Sequence, residues 1–428
     1  TSAAAGPTAG ASVPTPSPPV PAAAPLAGDA APRVLPSLVP TVSPRPSRDP
    51  APTASASPTA DQATSQASGN HAATSFDRAT RRKLQRILRD TVDKQGLAGL
   101  SVAVRSPTGE TWTGVAGHAE FTPNRKIEPD TVFSIASVTK TFVAALILQL
   151  AEEGKLSLDE PFGTYAPAAP RAKTVTIRQL LSHTSGIHDY FDNPRYLKIS
   201  GGWLERARSR GLASRDHRWT HDEIMSLVQS AYCRPGRCYH YSNTNYVILG
   251  EVAKAAGGAP LHQLLRERFF DPLGMTDTVY QPSELPPSDA AHGHWPRSGG
   301  GHIDHTRDAR VIPFMAAVSA ANAAGAIAST PRDLVIWAEA LYGGDLLSRR
   351  SLREMRTILP AGTYGLGTDV ASFAGHRGFG HRGGLRGFEA SMWHFAKEGV
   401  SVALLSNQGN WLTDRPMKAI VKAVLGKT

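Results

Sequence analysis

A serine followed three residues later by a lysine occurs once in these 428 residues, at Ser137-Val138-Thr139-Lys140. Residues three apart share one face of a helix. A hydroxyl beside an amine stripped of water is an activated nucleophile. Tyr241-Ser242-Asn243 is the one Tyr-x-Asn in the sequence. Its phenol can exchange a proton, and its amide can donate and accept hydrogen bonds. A third group is Gly380-His381-Arg382-Gly383-Gly384, where glycine leaves the backbone open to close approach. His376-Arg377-Gly378 also fits His-x-Gly, but Gly383, Gly384 and Gly387 follow His381 and favour it. Each group has a plainer reading. Ser137 and Asn243 can cap helices, Tyr241 can be a core ring, and His381 can sit in a flexible Gly-rich turn.

The elements that would position these groups follow from the hydrophobic pattern. Residues 138–154 are apolar almost all round, including Phe142, Val143, Leu146, Ile147, Leu148 and Leu150. Such a helix is buried, which leaves Lys140 in its first turn short of water. The helix start adds favourable potential for developing negative charge. Residues 76–95 read as an amphipathic helix, and 100–104 and 111–115 as strands joined by Pro107-Thr108-Gly109. Helices follow at 174–181, 221–231, 244–256, 261–269 and 333–341. Strands at 390–395 and 400–405 and a helix at 414–425 close the chain. Strands at both ends with helices between predict an α/β fold. One antiparallel sheet, flanked by helices and built from both chain ends, would carry a mainly helical insertion at about 150–330.

Residues 1–75 differ from the rest. Of 33 prolines, 15 fall in the first 60 residues, and no Phe, Tyr or Trp precedes Phe76. Such a segment cannot bury enough apolar surface to fold alone and reads as a disordered spacer, with residues 76–428 as the folded domain. The spacer's Arg and Asp cancel, so the net charge of +10 belongs to the domain. Its arginines are scattered apart from Arg206, Arg208, Arg210, Arg215 and Arg218, with no nucleic-acid-binding motif. No 18-residue apolar run spans a membrane. The Pro/Thr/Ala-rich start resembles what remains after signal-peptide removal, so a secreted or cell-wall-associated protein is expected. Cys233 and Cys238 flank Pro235-Gly236, a type II turn pair that would bring the thiols together. A local disulfide is expected, with two free thiols as the alternative. His292, His294, His302, Asp304 and His305 lie close in a Gly-rich segment read as a loop rather than a metal site. No metal or cofactor is expected. No Gly-x-Ser-x-Gly or His-Glu-x-x-His occurs, so α/β-hydrolases and zincins lose their signatures.

The three groups, in this order over about residues 76–425, resemble the serine penicillin-recognising enzymes. The likeness is to the class C β-lactamase-like group of D-Ala-D-Ala carboxypeptidases and related esterases. Residues 133–140, Leu180-Leu181-Ser182-His183-Thr184-Ser185-Gly186, residues 241–246 and residues 272–278 match in order as well. The resemblance implies that Ser137 attacks a carbonyl to form an acyl-enzyme. Lys140 and Tyr241 would share the base work, and Asn243 would orient the substrate. His381 stands where many relatives have Lys, and the N–H groups of Ser137 and Gly384 would form an oxyanion hole beside Gly383. Arg382 departs from the pattern, replacing a hydroxyl residue that helps hold a substrate carboxylate. Arg382, helped by Arg386, is expected to take over that task, or else to point to solvent. The expected activity is D-Ala-D-Ala carboxypeptidase on peptidoglycan peptides. A secreted esterase or weak β-lactamase is the second choice, and a non-catalytic penicillin-binding-like wall protein the third. The partner would be a peptidoglycan peptide, a small ester or a β-lactam, with wall contact through the tail and no nucleic acid.

Overall fold

Strand alternation sets the layers. In β1 (Gly99–Arg105), Leu100, Val102 and Val104 face one apolar cluster and Ala103 the other, so both sheet faces are covered. The computed structural model describes residues 76–199, 216–297, 299–306, 310–344, 346–359 and 364–426. The proposed spacer and Arg206, Arg208, Arg210 and Arg215 lie outside the described residues. The next strands are β2 (Thr111–Phe121), β3 (Asn124–Lys126), β4 (Phe133–Ser134) and β5 (Val279–Tyr280). They are followed by β6 (His294–Pro296), β7 (His302–Asp304), β8 (Ile327–Ser329) and β9 (Asp369–Phe373). β10 (His376–Leu385), β11 (Phe388–Phe395) and β12 (Val400–Ser406) complete the set.

A seven-stranded sheet runs β3-β2-β1-β12-β11-β10-β9, every pairing antiparallel. It joins both chain ends, as expected. The N-terminal helix Arg78–Gln95 and the C-terminal helix Asp414–Leu425 contact each other and cover one face with Leu84, Leu88, Met417, Ile420 and Val421. The helix Pro331–Gly343 packs on the other face, and its Trp337 stacks on Phe142 of the helix Thr139–Glu152.

Four expectations need correction. The helix at 221–231 ends at Ser226, and the chain turns toward the cysteine loop. The helix at 261–269 is regular only to Leu265, then widens into a π turn over Arg266–Phe270. The Gly-rich segment around His381 is not a turn but the long strand β10. Its glycines serve close packing: a Cβ at Gly380 would lie 1.8 Å from the Met392 carbonyl oxygen. Likewise, the histidine-rich segment is not simply a loop, because it folds into the β6–β7 ribbon.

Candidate active site

Ser137 lies in a single 3-10 turn, Ala136–Val138, that feeds the Thr139–Glu152 helix. Ala136 holds φ at 45°, a left-handed conformation costly for a residue with a Cβ and sustained by burial. From Thr139 to Leu148 every helix residue is buried, Lys140 included. Its Nζ lies 2.9 Å from Ser137 Oγ, 2.9 Å from Asn243 Oδ1 and 2.8 Å from the Ala324 carbonyl oxygen. Burial lowers the amine to about 7, against a smaller opposite pull from Asp189.

The partners orient that amine. Asn243 Nδ2 donates to Asp189 Oδ2 at 2.8 Å, which leaves Oδ1 turned toward Lys140. A neutral amine has two N–H donors and one lone pair. Asn243 Oδ1 and the Ala324 carbonyl can only accept, so they take the two protons. The lone pair is then left for the Ser137 hydroxyl. This is the geometry of a nucleophile with its base in place.

Tyr241 packs its ring under Lys140, 4.9 Å from Nζ, and hydrogen-bonds Ser137. Burial pushes its phenol well above the usual value, so it keeps its proton at neutral pH. Ser242 N donates to His183 Nδ1 at 3.1 Å, and the His183 ring lies 4.2 Å from that of Tyr241. Burial holds His183 neutral. The turn carrying His183 is fastened in turn by the cysteine loop: Gly236 N donates to Thr184 O, and Tyr232 N to Gly186 O. Cys233 and Cys238 are bridged, and Gly236 holds φ at 75°, as the expected turn requires. Removing the bridge with Cys233→Ser and Cys238→Ser should cost about 2 kcal/mol in denaturant unfolding, the loop-closure value for so short a loop. The denatured, unreduced parent should show no free thiol on titration.

His381 faces the same cavity, of about 310 Å3, with Ser137, Tyr239, Tyr241 and Tyr364. Its Nδ1 touches the Arg382 carbonyl, which can only accept, so Nδ1 carries the proton. Nε2 therefore accepts from Tyr364 Oη at 2.7 Å. Burial lowers the ring to about 3, so His381 is neutral and is no substitute for a lysine's charge. Gly383 lies against the Ser137 turn: a Cβ there would stand 2.8 Å from Ser137 N and 2.4 Å from the Ile135 carbonyl oxygen.

Arg382, which the sequence offers as a carboxylate binder or a solvent-facing side chain, is held in ion pairs. One residue on from His381, it points to the opposite sheet face, over the Trp393 ring at 4.8 Å. Nε and Nη2 donate to Asp414 at 2.7 and 3.1 Å, and Nη1 donates to Asp369 at 2.6 Å. Arg382 is among the residues that line the cavity, but its guanidinium is paired with two carboxylates. Arg386 lines a different recess, with Phe191, Tyr196 and Trp295. Glu389 also borders the Ser137 cavity, and burial raises its carboxyl to about 8. A larger recess of about 690 Å3, between the N- and C-terminal helices, is lined by neither the Ser137 nor the His381 group.

Asp189, Ala324, His183, Tyr364 and Glu389 were not singled out individually from the sequence. No spacing rule ties them to Ser137. Only the 180–186 stretch, by its likeness to relatives, pointed toward His183.

This fold and site are those of a serine hydrolase. The chain belongs to the β-lactamase family, whose model, described as Beta-lactamase, matches residues 84–427. The putative penicillin-binding protein PbpX of Bacillus subtilis is 28% identical over 314 residues, covering 72% of this chain and 70% of that protein. The D-alanyl-D-alanine-carboxypeptidase/endopeptidase AmpH of Escherichia coli is 28% identical over 250 residues. That match covers 56% of this chain and 58% of AmpH. The D-amino acid amidase of Ochrobactrum anthropi SV3, solved with L-phenylalanine amide, superposes with a TM-score of 0.69 at 29% identity. It covers 81% of this chain and 98% of the amidase.

Proposed function

We propose that Ser137 is acylated by an amide or ester of a D-amino acid and that water then releases the acid. The observation that carries this is the buried amine of Lys140, 2.9 Å from Ser137 Oγ and lowered to about 7. Lys140 takes the serine proton. Tyr241, still protonated, relays a proton to the leaving group. Ser137 N and Gly384 N receive the oxyanion, with Gly383 kept bare so that β10 can lie against the serine turn. The names of the amidase and of AmpH support a D-configured substrate.

With no hydroxyl residue after His381, the carboxypeptidase reading leaves the substrate's terminal carboxylate to Arg382. Arg382 is spent on Asp369 and Asp414, and no other lysine or arginine lines the cavity among the described residues. That favours substrates without a carboxylate beside the scissile bond, as in an amino acid amide, over acyl-D-Ala-D-Ala. Kinetics on D-alanine amide, acyl-D-Ala-D-Ala, a nitrophenyl ester and a cephalosporin test it. Faster turnover of acyl-D-Ala-D-Ala than of the amide and ester would restore the carboxypeptidase. Arg382→Ala should lower kcat/KM for ester and peptide by similar factors and cost about 1–2 kcal/mol of stability, since the half-exposed pairs are screened. A loss confined to acyl-D-Ala-D-Ala would return Arg382 to carboxylate binding.

Export is proposed with this function. The Cys233–Cys238 bridge supports an oxidising compartment. No helix among the described residues is long and apolar enough to cross a membrane.

A further inference from the structure

The histidine-rich segment lies outside the hydrolytic site, and its pairing arranges its side chains. In β6–β7, His294 pairs with Asp304, Trp295 with Ile303, and Pro296 with His302. His305 N donates to the Gly293 carbonyl, which carries the ladder past the ribbon's end. Side chains alternate across a strand, so His292, His294, His302 and Asp304 share one face. The end of β2 supplies Glu120, which is buried. Single donor atoms of Glu120, His292 and Asp304 all lie within 4.8 Å of one another.

We propose that Glu120, His292 and Asp304 bind a divalent first-row transition ion, of which zinc is the probe, and so clip the β6–β7 ribbon to β2. Both carboxylates and the imidazole are ligands such ions accept. His292 Nδ1 stands 2.9 Å from Asp304 Oδ2 and 3.6 Å from Glu120 Oε1. Donors around a tetrahedral zinc, with bonds of about 2.0–2.2 Å, sit roughly 3.2–3.6 Å apart, so small shifts suffice. The metal-free pair is an Nδ1–H donated to the Asp304 carboxylate. Zinc takes the place of that proton at Nδ1, and the ring keeps its one N–H by shifting it to Nε2, so the ligand stays a neutral imidazole. Asp304 Oδ1 is held by Thr306 N at 2.8 Å, so the carboxylate is oriented beforehand.

A second, independent observation is His294. It is 1% exposed, and neither ring nitrogen makes a well-formed hydrogen bond among the described residues, the Ala119 backbone giving only a poorly aligned one. A buried imidazole so poorly satisfied is costly unless a ligand or water completes it. It stands across the ribbon from Asp304, where it can accept from a water in the metal's fourth position. Arg125 works against the site, with Nη2 3.7 Å from Glu120 Oε2. It is also held by the carbonyls of Asp289 and Ala290. It offsets one of the two carboxylates, so the site with a bound dication carries a net charge of +1 and binds more weakly than the two carboxylates alone would.

The test uses the full chain after chelation. Titration with zinc in a calorimeter should find one ion per chain, and saturating zinc should raise Tm by about 3–6 °C. Cobalt should give a visible absorption band of an N/O-ligated ion. His292→Ala should weaken binding at least about 100-fold, and His294→Ala by about 10–100-fold. Glu120→Gln keeps the shape of the side chain and should also weaken binding, which covers the case of an unstable alanine variant. His262→Ala, on a distant helix, should bind as the parent does. Penicillin labelling of Ser137 checks that each variant is folded. Absence of stoichiometric binding overturns the proposal. So does binding that survives both His292→Ala and Glu120→Gln, which would place the ion elsewhere.

Discussion

Replacing Ser137 with alanine should abolish covalent labelling by a fluorescent penicillin or a fluorophosphonate. It should lower amide and ester hydrolysis by about 10⁴–10⁶-fold, the scale seen when an acyl-enzyme nucleophile is removed. The effect comes from chemistry rather than from folding. Lys140 keeps two of its three hydrogen-bond partners, Asn243 Oδ1 and the Ala324 carbonyl, and remains oriented. The Ala136 turn is held by burial and by the close packing of Gly383, neither of which involves the hydroxyl. Mass spectrometry of the penicillin-treated parent should place the adduct on the peptide containing Ser137. An adduct on any other serine, or labelling that persists in the alanine variant, would move the active site and end the reading of Lys140 as its base.

Why this pair was legible in the sequence, and Arg382 was not, has a physical answer. A lysine inside a helix apolar on every side conflicts with its own solvation, and such a conflict is visible in one dimension. The helix boundaries depend on the same apolar run and were recovered almost intact. The sheet built from both chain ends was likewise readable in β1, β11 and β12, where β-branched and aromatic residues crowd. β10 was not, because Gly378, Gly380, Gly383 and Gly384 leave too few side chains for a period of two to show. Without the strand there is no alternation. Without alternation nothing says that Arg382 must turn away from His381 toward Asp369 and Asp414. Asp189 is harder still. It matters only because Asn243, 54 residues later, donates to it and so presents an oxygen to Lys140. The histidine segment failed for a third reason: β6 and β7 are three residues each, too short for a pattern to separate ribbon from loop.

The acid limb of the pH–rate profile should report Lys140. Its amine is lowered to about 7 by burial, with Asp189 pulling weakly the other way. Below that value it is protonated and has no lone pair for the Ser137 proton. Above it the base is ready. Acylation should therefore fall about tenfold per pH unit below roughly pH 6.5 and level off above about pH 8. The group sits out of solvent, so the midpoint should move little with added salt. Lys140→Arg should lose about 10²–10⁴-fold in acylation at every accessible pH, because a guanidinium stays charged. Lys140→Met should lose as much, with no charge left to bury. Tyr241 cannot rescue either variant near neutrality, since burial has raised its phenol rather than lowered it. A rate that is flat from about pH 5 to 8, or an Arg variant near the parent's rate, would remove Lys140 as the base. The same proton also enters stability. Between about 7 and the ordinary lysine value of 10.5 the unfolded chain binds a proton at Lys140 that the folded chain does not. This group's contribution to stability therefore rises with pH across that window. A buried amine that costs stability near neutral pH is retained for its chemistry, so Lys140→Met should gain stability relative to the parent as the pH is lowered from about 10 to 7, while its acylation stays lost at every pH.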